Sequence, residues 1–251
     1  MTDERSTEAV EDLIDEAWET NSPARRAAFA RQALARDPDA IDAYVALALC
    51  VETTAERIAL LREAVRIGER VWALELKRPR QSHFWSDIDT RPFMRAMHNL
   101  ALALWNRGAR DEAAAFADRL LRLNPNDNQG IRFLALAWHP VLGNWEKVEK
   151  ILKRYDGDIR TEYLYARCLD AFRRGEDPKA QLAEAIETNP HVPALLLNRR
   201  NGPEWSGDSV AFGSEEEAAA YAAYNRPAWE AVPHALDWLR RATKKSGRGK
   251  T

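Results

Sequence analysis

The side chains able to do chemistry are few and scattered. Five histidines (His83, His98, His139, His191, His234) and two cysteines (Cys50, Cys168) show no Cys-x-x-Cys or His-Glu-x-x-His spacing, so they predict no converging metal ligands. No stretch reads as a phosphate loop, a glycine-rich dinucleotide turn or a nucleophile elbow. Asp87-x-Asp89 and Glu215-Glu216-Glu217 are grouped acids, but each stands at an expected helix start, where carboxylates oppose the helix dipole. These residues predict no catalytic group, no metal and no cofactor, hence a chain that is not an enzyme.

One polar string is harder to assign to structure alone: Asn124, Asn126, Asp127, Asn128, Gln129 and Arg132. A turn between helices uses Asn and Asp to satisfy free backbone groups, which accounts for Asn124 and Asn126. Gln129 and Arg132 fall on the helix expected next and could face a ligand. Arg91, Arg95 and Asn99, one helix pair earlier, could line the same groove. The loop bearing His83, Phe84 and Trp85 has two readings: its aromatics anchor it to the body, or it folds over the groove and supplies contacts. Arg91, Arg95, Asn99, Asn128, Gln129 and Arg132, with His83 and Trp85, are thus the candidate partner-binding residues. As surface groups, Arg95, Asn99, Gln129 and Arg132 should be replaceable by Ala with weaker partner binding and little change in stability.

The elements carrying these residues read as helices throughout. Three similar turns, Gly108-Ala-Arg-Asp-Glu-Ala113, Gly143-Asn-Trp-Glu-Lys-Val148 and Gly175-Glu-Asp-Pro-Lys-Ala180, place their glycines 35 and 32 residues apart. A second marker recurs at helix ends, in Arg36-Asp37-Pro38-Asp39, Leu123-Asn124-Pro125-Asn126 and Thr188-Asn189-Pro190-His191; a Pro just past a helix stops it. Between markers the apolar residues keep helical spacing, as in Ala113, Phe116, Ala117, Leu120 and Leu121. The pattern predicts pairs at Thr7–Glu19 with Pro23–Arg36, Ala40–Val51 with Ala55–Leu76, Arg91–Asn106 with Asp111–Leu123, Asn128–Val141 with Trp145–Tyr155, and Arg160–Arg173 with Pro178–Glu187. A loop, Lys77–Asp89, interrupts them. A short helix (Val192–Leu197), an irregular stretch (Arg199–Gly213) and two closing helices (Glu215–Ala231, expected to kink at Pro227, and Pro233–Thr243) follow. Helix pairs recurring at this period match the tetratricopeptide repeat. The expectation is an all-α solenoid of about five pairs over residues 1–198, a C-terminal helical cap over 199–243 and a disordered basic tail over 244–251.

Composition agrees. Thirty-seven Lys and Arg against 39 Asp and Glu give a net charge of −2, without the broad positive field of a nucleic-acid binder. The N-terminus is polar rather than signal-like, and no stretch approaches a membrane span. Cys50 and Cys168 sit in apolar helical sequence and read as buried, reduced thiols. The expected localisation is cytoplasmic.

Two strings carry a family resemblance. His83-Phe-Trp-Ser-Asp-Ile-Asp-Thr-Arg-Pro-Phe-Met-Arg-Ala96 and Arg122-Leu-Asn-Pro-Asn-Asp-Asn-Gln-Gly-Ile-Arg132 resemble signatures of poorly characterised bacterial tetratricopeptide proteins. Asn189-Pro-His-Val-Pro193, Gly213-Ser-Glu-Glu-Glu-Ala218, Ala228-Trp229 and Ala235-Leu-Asp-Trp-Leu239 resemble the same group and also the eukaryotic suppressor-of-tumorigenicity family. That family carries membrane-spanning helices and this chain shows none, so its localisation does not transfer. The resemblance implies the fold and brings no activity with it. Co-chaperones of this repeat type grip a C-terminal carboxylate with Lys, Arg and Asn; at the corresponding positions Val45, Leu49, Asn99, Gln129 and Phe133, only Asn99 fits. The function expected from all this is a scaffold holding a protein or peptide in a concave groove. The rival is a structural subunit packing through a surface around Trp205 and Phe212; an enzyme or small-ligand binder using the His83–Trp85 loop as a lid is the weakest reading.

Overall fold

The computed structural model describes residues 2–77, 84–198 and 210–246. Among them are thirteen α-helices, three single 3-10 turns and no strand. The chain forms two compact units, Met1–Ile131 and Arg132–Thr251.

The first unit holds α1 (Thr2–Glu19), α2 (Pro23–Arg36), α3 (Ile41–Ala48), α4 (Thr54–Val71), α5 (Arg91–Arg107) and α6 (Arg110–Leu123). Each helix packs on its successor, and the first helices of the pairs also meet: α1 on α3, and α3 on α5. The second helices approach one another less closely. Long side chains bridge α4 and α6 instead, with Arg62 on Glu112 (2.8 Å) and Arg119 on Glu69 (2.5 Å). Buried Ala17, Ala30, Ala43, Ala46, Ala64, Ala96 and Ala117 let the backbones come close. Where α4 meets α5, a Cβ on Gly68 would lie 2.1 Å from the Phe93 ring.

Local signals set the helix ends. Ser22 and Thr53 accept the backbone N–H of Arg25 and Glu56, capping α2 and α4. Asp37 and Asn124 end α2 and α6 in non-helical geometry, each N–H still reaching the carbonyl four residues back. The carbonyl ends of α1 and α3 are closed by a device the sequence does not announce. Arg26, in the first turn of α2, donates to the carbonyls of Ala17 (3.0 Å) and Thr20 (2.9 Å). Arg57, at the same place in α4, donates to Ala48 (3.0 Å) and Val51 (3.1 Å). In the third pair Gly108 does this work, turning left-handed (φ 93°) at the end of α5.

The second unit holds α7 (Ile131–Val141) from Arg132 onward, α8 (Trp145–Arg154), α9 (Thr161–Arg173), α10 (Lys179–Thr188), α11 (Val192–Asn198), α12 (Glu215–Glu230) and α13 (Ala235–Ser246). α9 packs against α8, α10, α12 and α13. Asn189, fully buried after α10, donates to the Ser214 carbonyl (3.0 Å) and Glu217 Oε2 (2.8 Å), joining that helix end to the start of α12. Tyr221 and Trp229 of α12 are buried, and the indole N–H donates to the phenol oxygen at 2.9 Å.

Several expected boundaries move. α3 stops at Ala48 and α4 at Val71, short of Val51 and Leu76. The Lys77–Asp89 loop contains 3-10 turns at Phe84–Ser86 and Ile88–Thr90. α7 starts at Ile131 rather than Asn128, because Asp127 (φ 51°) and Gly130 (φ 72°) are left-handed and break the helix there. The final helix starts at Ala235, after a left-handed His234 (φ 65°), rather than at Pro233. Pro227 lies inside α12, which continues to Glu230.

Candidate functional site

Arg91, Arg95 and Asn99 recur every four residues, so they share one face of α5. Arg95 is at the centre of that face and touches two other helices. Its guanidinium pairs with Asp42 at the start of α3 and lies 5.2 Å from the ring of Trp18, near the end of α1. Asp42 is largely shielded, at 13% side-chain exposure against 41% for Arg95. Burial pushes the Asp42 carboxyl above its ordinary value despite the opposing pull of Arg95. Asn99 turns its amide back to the Arg95 carbonyl at 2.9 Å. His98, next on the helix, is held below its usual range by burial, against the pull of Asp127.

Arg91 tethers the preceding loop. It stacks 5.0 Å from the Trp85 ring, and its Nε donates to the Trp85 carbonyl at 3.5 Å. Phe84 goes deeper, 2% exposed and edge-on to Trp72 and Phe93. The Thr90 hydroxyl lies against the carbonyls of Phe84 and Asp87. Phe84 is thus an anchor and Trp85 a half-buried plate under Arg91. His83 lies outside the described residues, as does Trp205; Phe212 is 57% exposed.

The polar string divides. Asp127 accepts the Ile131 N–H at 2.7 Å, and Asn128 is exposed on the turn. Gln129, expected on a helix, stands in that turn; its amide N–H reaches the Met94 carbonyl of α5 at 3.4 Å, leaving a buried Oε1 without a hydrogen-bond partner. Arg132 belongs to the second unit. It pairs with Asp158 at 2.8 Å, the two side chains being 15% and 11% exposed, and lies 4.1 Å from the Phe133 ring. Arg95 and Arg132 are therefore each paired within their own unit, so replacing either by Ala is expected to cost stability rather than leave it unchanged. Sequence reasoning missed Asp42 and Trp18 as partners of Arg95, since no local pattern links positions that far apart.

The second unit also has an open cavity of about 260 Å³ beside α8 and α9, with Tyr163, Arg167, Asp170 and Arg174 along one wall. Its charges are largely satisfied internally: Arg173 and Arg174 converge on the buried Asp170 at 3.0 and 3.2 Å, and Arg167 pairs with Glu184. Among the described residues no group of three or more His, Cys, Asp or Glu is placed to hold a metal ion. No described helix is long and apolar enough to cross a membrane.

No family model matches this chain. The chain is homologous to suppressor of tumorigenicity 7-like proteins. It is 27% identical over 265 residues to the human "Suppressor of tumorigenicity 7 protein-like", an alignment covering 90% of this chain and 44% of that protein. The rat and mouse proteins of the same name align at the same identity over 45% of their length. The chain spans less than half the length of the curated relatives it matches, so the alignment speaks for this helical portion alone.

Proposed function

We propose that this chain is a tetratricopeptide-type scaffold that holds a protein or peptide segment against the surface of α1, α3 and α5, and that it works without catalysis. The observation carrying this reading is the reach of Arg95 from α5 to Asp42 on α3 and Trp18 on α1. One side chain spanning three helices fixes them as a single continuous surface before any partner arrives. Pre-ordered surfaces lose less entropy on binding. Two turns from Asp42 on the same face, Leu49 is 43% exposed. On α5, Asn99, a half-buried Leu102 and an exposed Asn106 continue the Arg95 face. Apolar contacts beside amides and charges suit an extended peptide, whose side chains need the first and whose backbone needs donors and acceptors.

Photo-crosslinking tests this. A benzophenone side chain at Leu49 or Leu102 should give a discrete adduct in cells, identified by mass spectrometry. The same group at Arg66, exposed on α4, should give none. Adducts only from position 66, or from no position, would count against the surface.

A further inference from the structure

Charge is unevenly placed along this chain. Residues 8–42, from α1 into the start of α3, hold nine acids and four arginines, a net −5. Residues 235–251, from α13 onward, hold six bases and one acid, a net +5. The 192 residues between them hold 26 bases and 27 acids, so the imbalance lies almost wholly in these two segments.

The acids of the first segment concentrate on α1. Glu8, Glu11, Asp12, Asp15, Glu16 and Glu19 are all exposed, and residues 8–19 include no base. Asp39 and Asp42, later in the segment, pair with Arg70 and Arg95; among the described residues none of the six acids of α1 has an ion-pair partner. Glu8, Asp12 and Glu16 recur every four residues, and Glu19 completes their face, opposite the buried Val10 and Ala17. Like charges at that spacing repel. Glu16 and Glu19 also stand in the last turn of α1, at the negative end of the helix dipole, where acids are unfavourable and this helix has no base. The arginines of α2 do not pair with them: Arg26 and Arg36 donate to the carbonyls of Ala17, Thr20 and Ala9, and Arg25 lies on Phe29. Helix stability alone would not place acids here.

On α13 the sign is reversed. Arg240, Arg241 and Lys244 are exposed on one face. Asp237, the single acid of that helix, is taken by Arg240 at 2.7 Å. Arg241 and Lys244 have no ion-pair partner among the described residues, and Lys245, Arg248 and Lys250 continue the run in sequence.

We infer that the outer face of α1 receives the basic stretch of α13 from a second copy of this chain. Opposite potentials of equal excess steer the two patches together and fix their register. A second copy is favoured over a foreign cation because the matching excess is carried by the chain itself, which is otherwise balanced. The two patches differ, so the contact is head-to-tail and either closes into a ring or extends as a filament. Arg95, Leu49 and Leu102 belong to neither patch, so this proposal and the peptide surface can fail separately.

The test is sedimentation velocity on the full chain over a range of concentrations. In about 20 mM salt the weight-average mass should rise with concentration above the 28.5 kDa of one chain, and in about 0.5 M salt it should return to that value. Asp12→Lys with Glu16→Lys should stay at the mass of one chain, as should Arg241→Glu with Lys244→Glu, with melting points within roughly 2 °C of the parent. An equimolar mixture of the two variants should associate again, since the reversed α1 of one meets the reversed α13 of the other. The proposal is overturned by a single-chain mass up to about 1 mM in low salt, by association indifferent to salt or to either variant, or by a mixture that stays at the mass of one chain. A chain that stays single yet binds labelled oligolysine through α1 would assign the face to a foreign cationic partner and overturn it equally.

Discussion

Arg95→Ala is the most informative single change, because the structure assigns Arg95 a load that a surface residue would not carry. Truncation removes the partner of Asp42 and the cation over Trp18. Breaking a fully buried pair costs about 3–5 kcal/mol, and an exposed one about 0–1 kcal/mol. Asp42 is 13% exposed and Arg95 41%, so this pair belongs between, near ~2 kcal/mol. The lost Trp18 stacking adds about 0.5–1 kcal/mol. A total of about 2–3 kcal/mol lowers the melting temperature by roughly 5–10 °C. The reverse change should be milder: Asp42→Asn leaves a cation that can turn to water, for less than about 1 kcal/mol. Acidity supplies a second check. The folded-state pKa of Asp42 is raised above 3.8, so the folded chain binds this proton at a higher pH than the unfolded one, and stability from this group rises as pH falls through that window. Arg95 opposes the rise; without it the window widens. The deficit of Arg95→Ala should therefore shrink between neutral pH and the ordinary carboxylate value, in urea titrations followed by circular dichroism. A loss below about 0.5 kcal/mol at neutral pH, or a deficit independent of pH, would refute the reasoning.

Other outcomes follow from single features. Ellman's reagent should find one reactive thiol in the native chain: Cys50 is partly exposed, whereas Cys168 is fully buried and its thiol is pushed up to about 12; two fast thiols would contradict this. Gly68→Ala should cost about 1–3 kcal/mol by driving a methyl into the buried Phe93 ring, and Phe93→Leu in the same chain should restore part of it. Arg57→Ala should cost about 1–3 kcal/mol by uncapping α3, with Arg57→Lys recovering little, since one ammonium does not reproduce the fork. Ending the chain at Phe212 removes buried Ala218, Tyr221, Trp229 and Leu239, at about 1.5–3 kcal/mol for each large side chain; the product should aggregate or melt far earlier, and an equally stable product would show that α12 and α13 are not a cap.

What was legible in the sequence follows from the range over which its causes act. Asp37, Asn124 and Asn189 beside their prolines do end α2, α6 and α10, since capping is local. The glycines at 108, 143 and 175, read as three similar turns, all adopt left-handed conformations. Gln129 stands in the turn and not on α7 because Asp127 and Gly130 take left-handed conformations that postpone the helix to Ile131. Of the candidate site, the α5 stripe was visible as a period of four. Its partners were not: Asp42 and Trp18 reach Arg95 only through the packing of three helices. Cys50 was read as buried from its apolar run, but α3 ends at Ala48 and leaves it at a half-open corner.

The paired contacts of Arg26 and Arg57 bear on how such chains change length. A glycine closure resides in the connection itself, so an inserted residue displaces it. Here the fastening group resides in the following helix and reaches back to the carbonyls of the preceding one. Each of the first two hairpins therefore carries its own latch, and a hairpin moved to another array would bring it along. Searches keyed to glycine periodicity would begin at the third pair and undercount the modules of this chain.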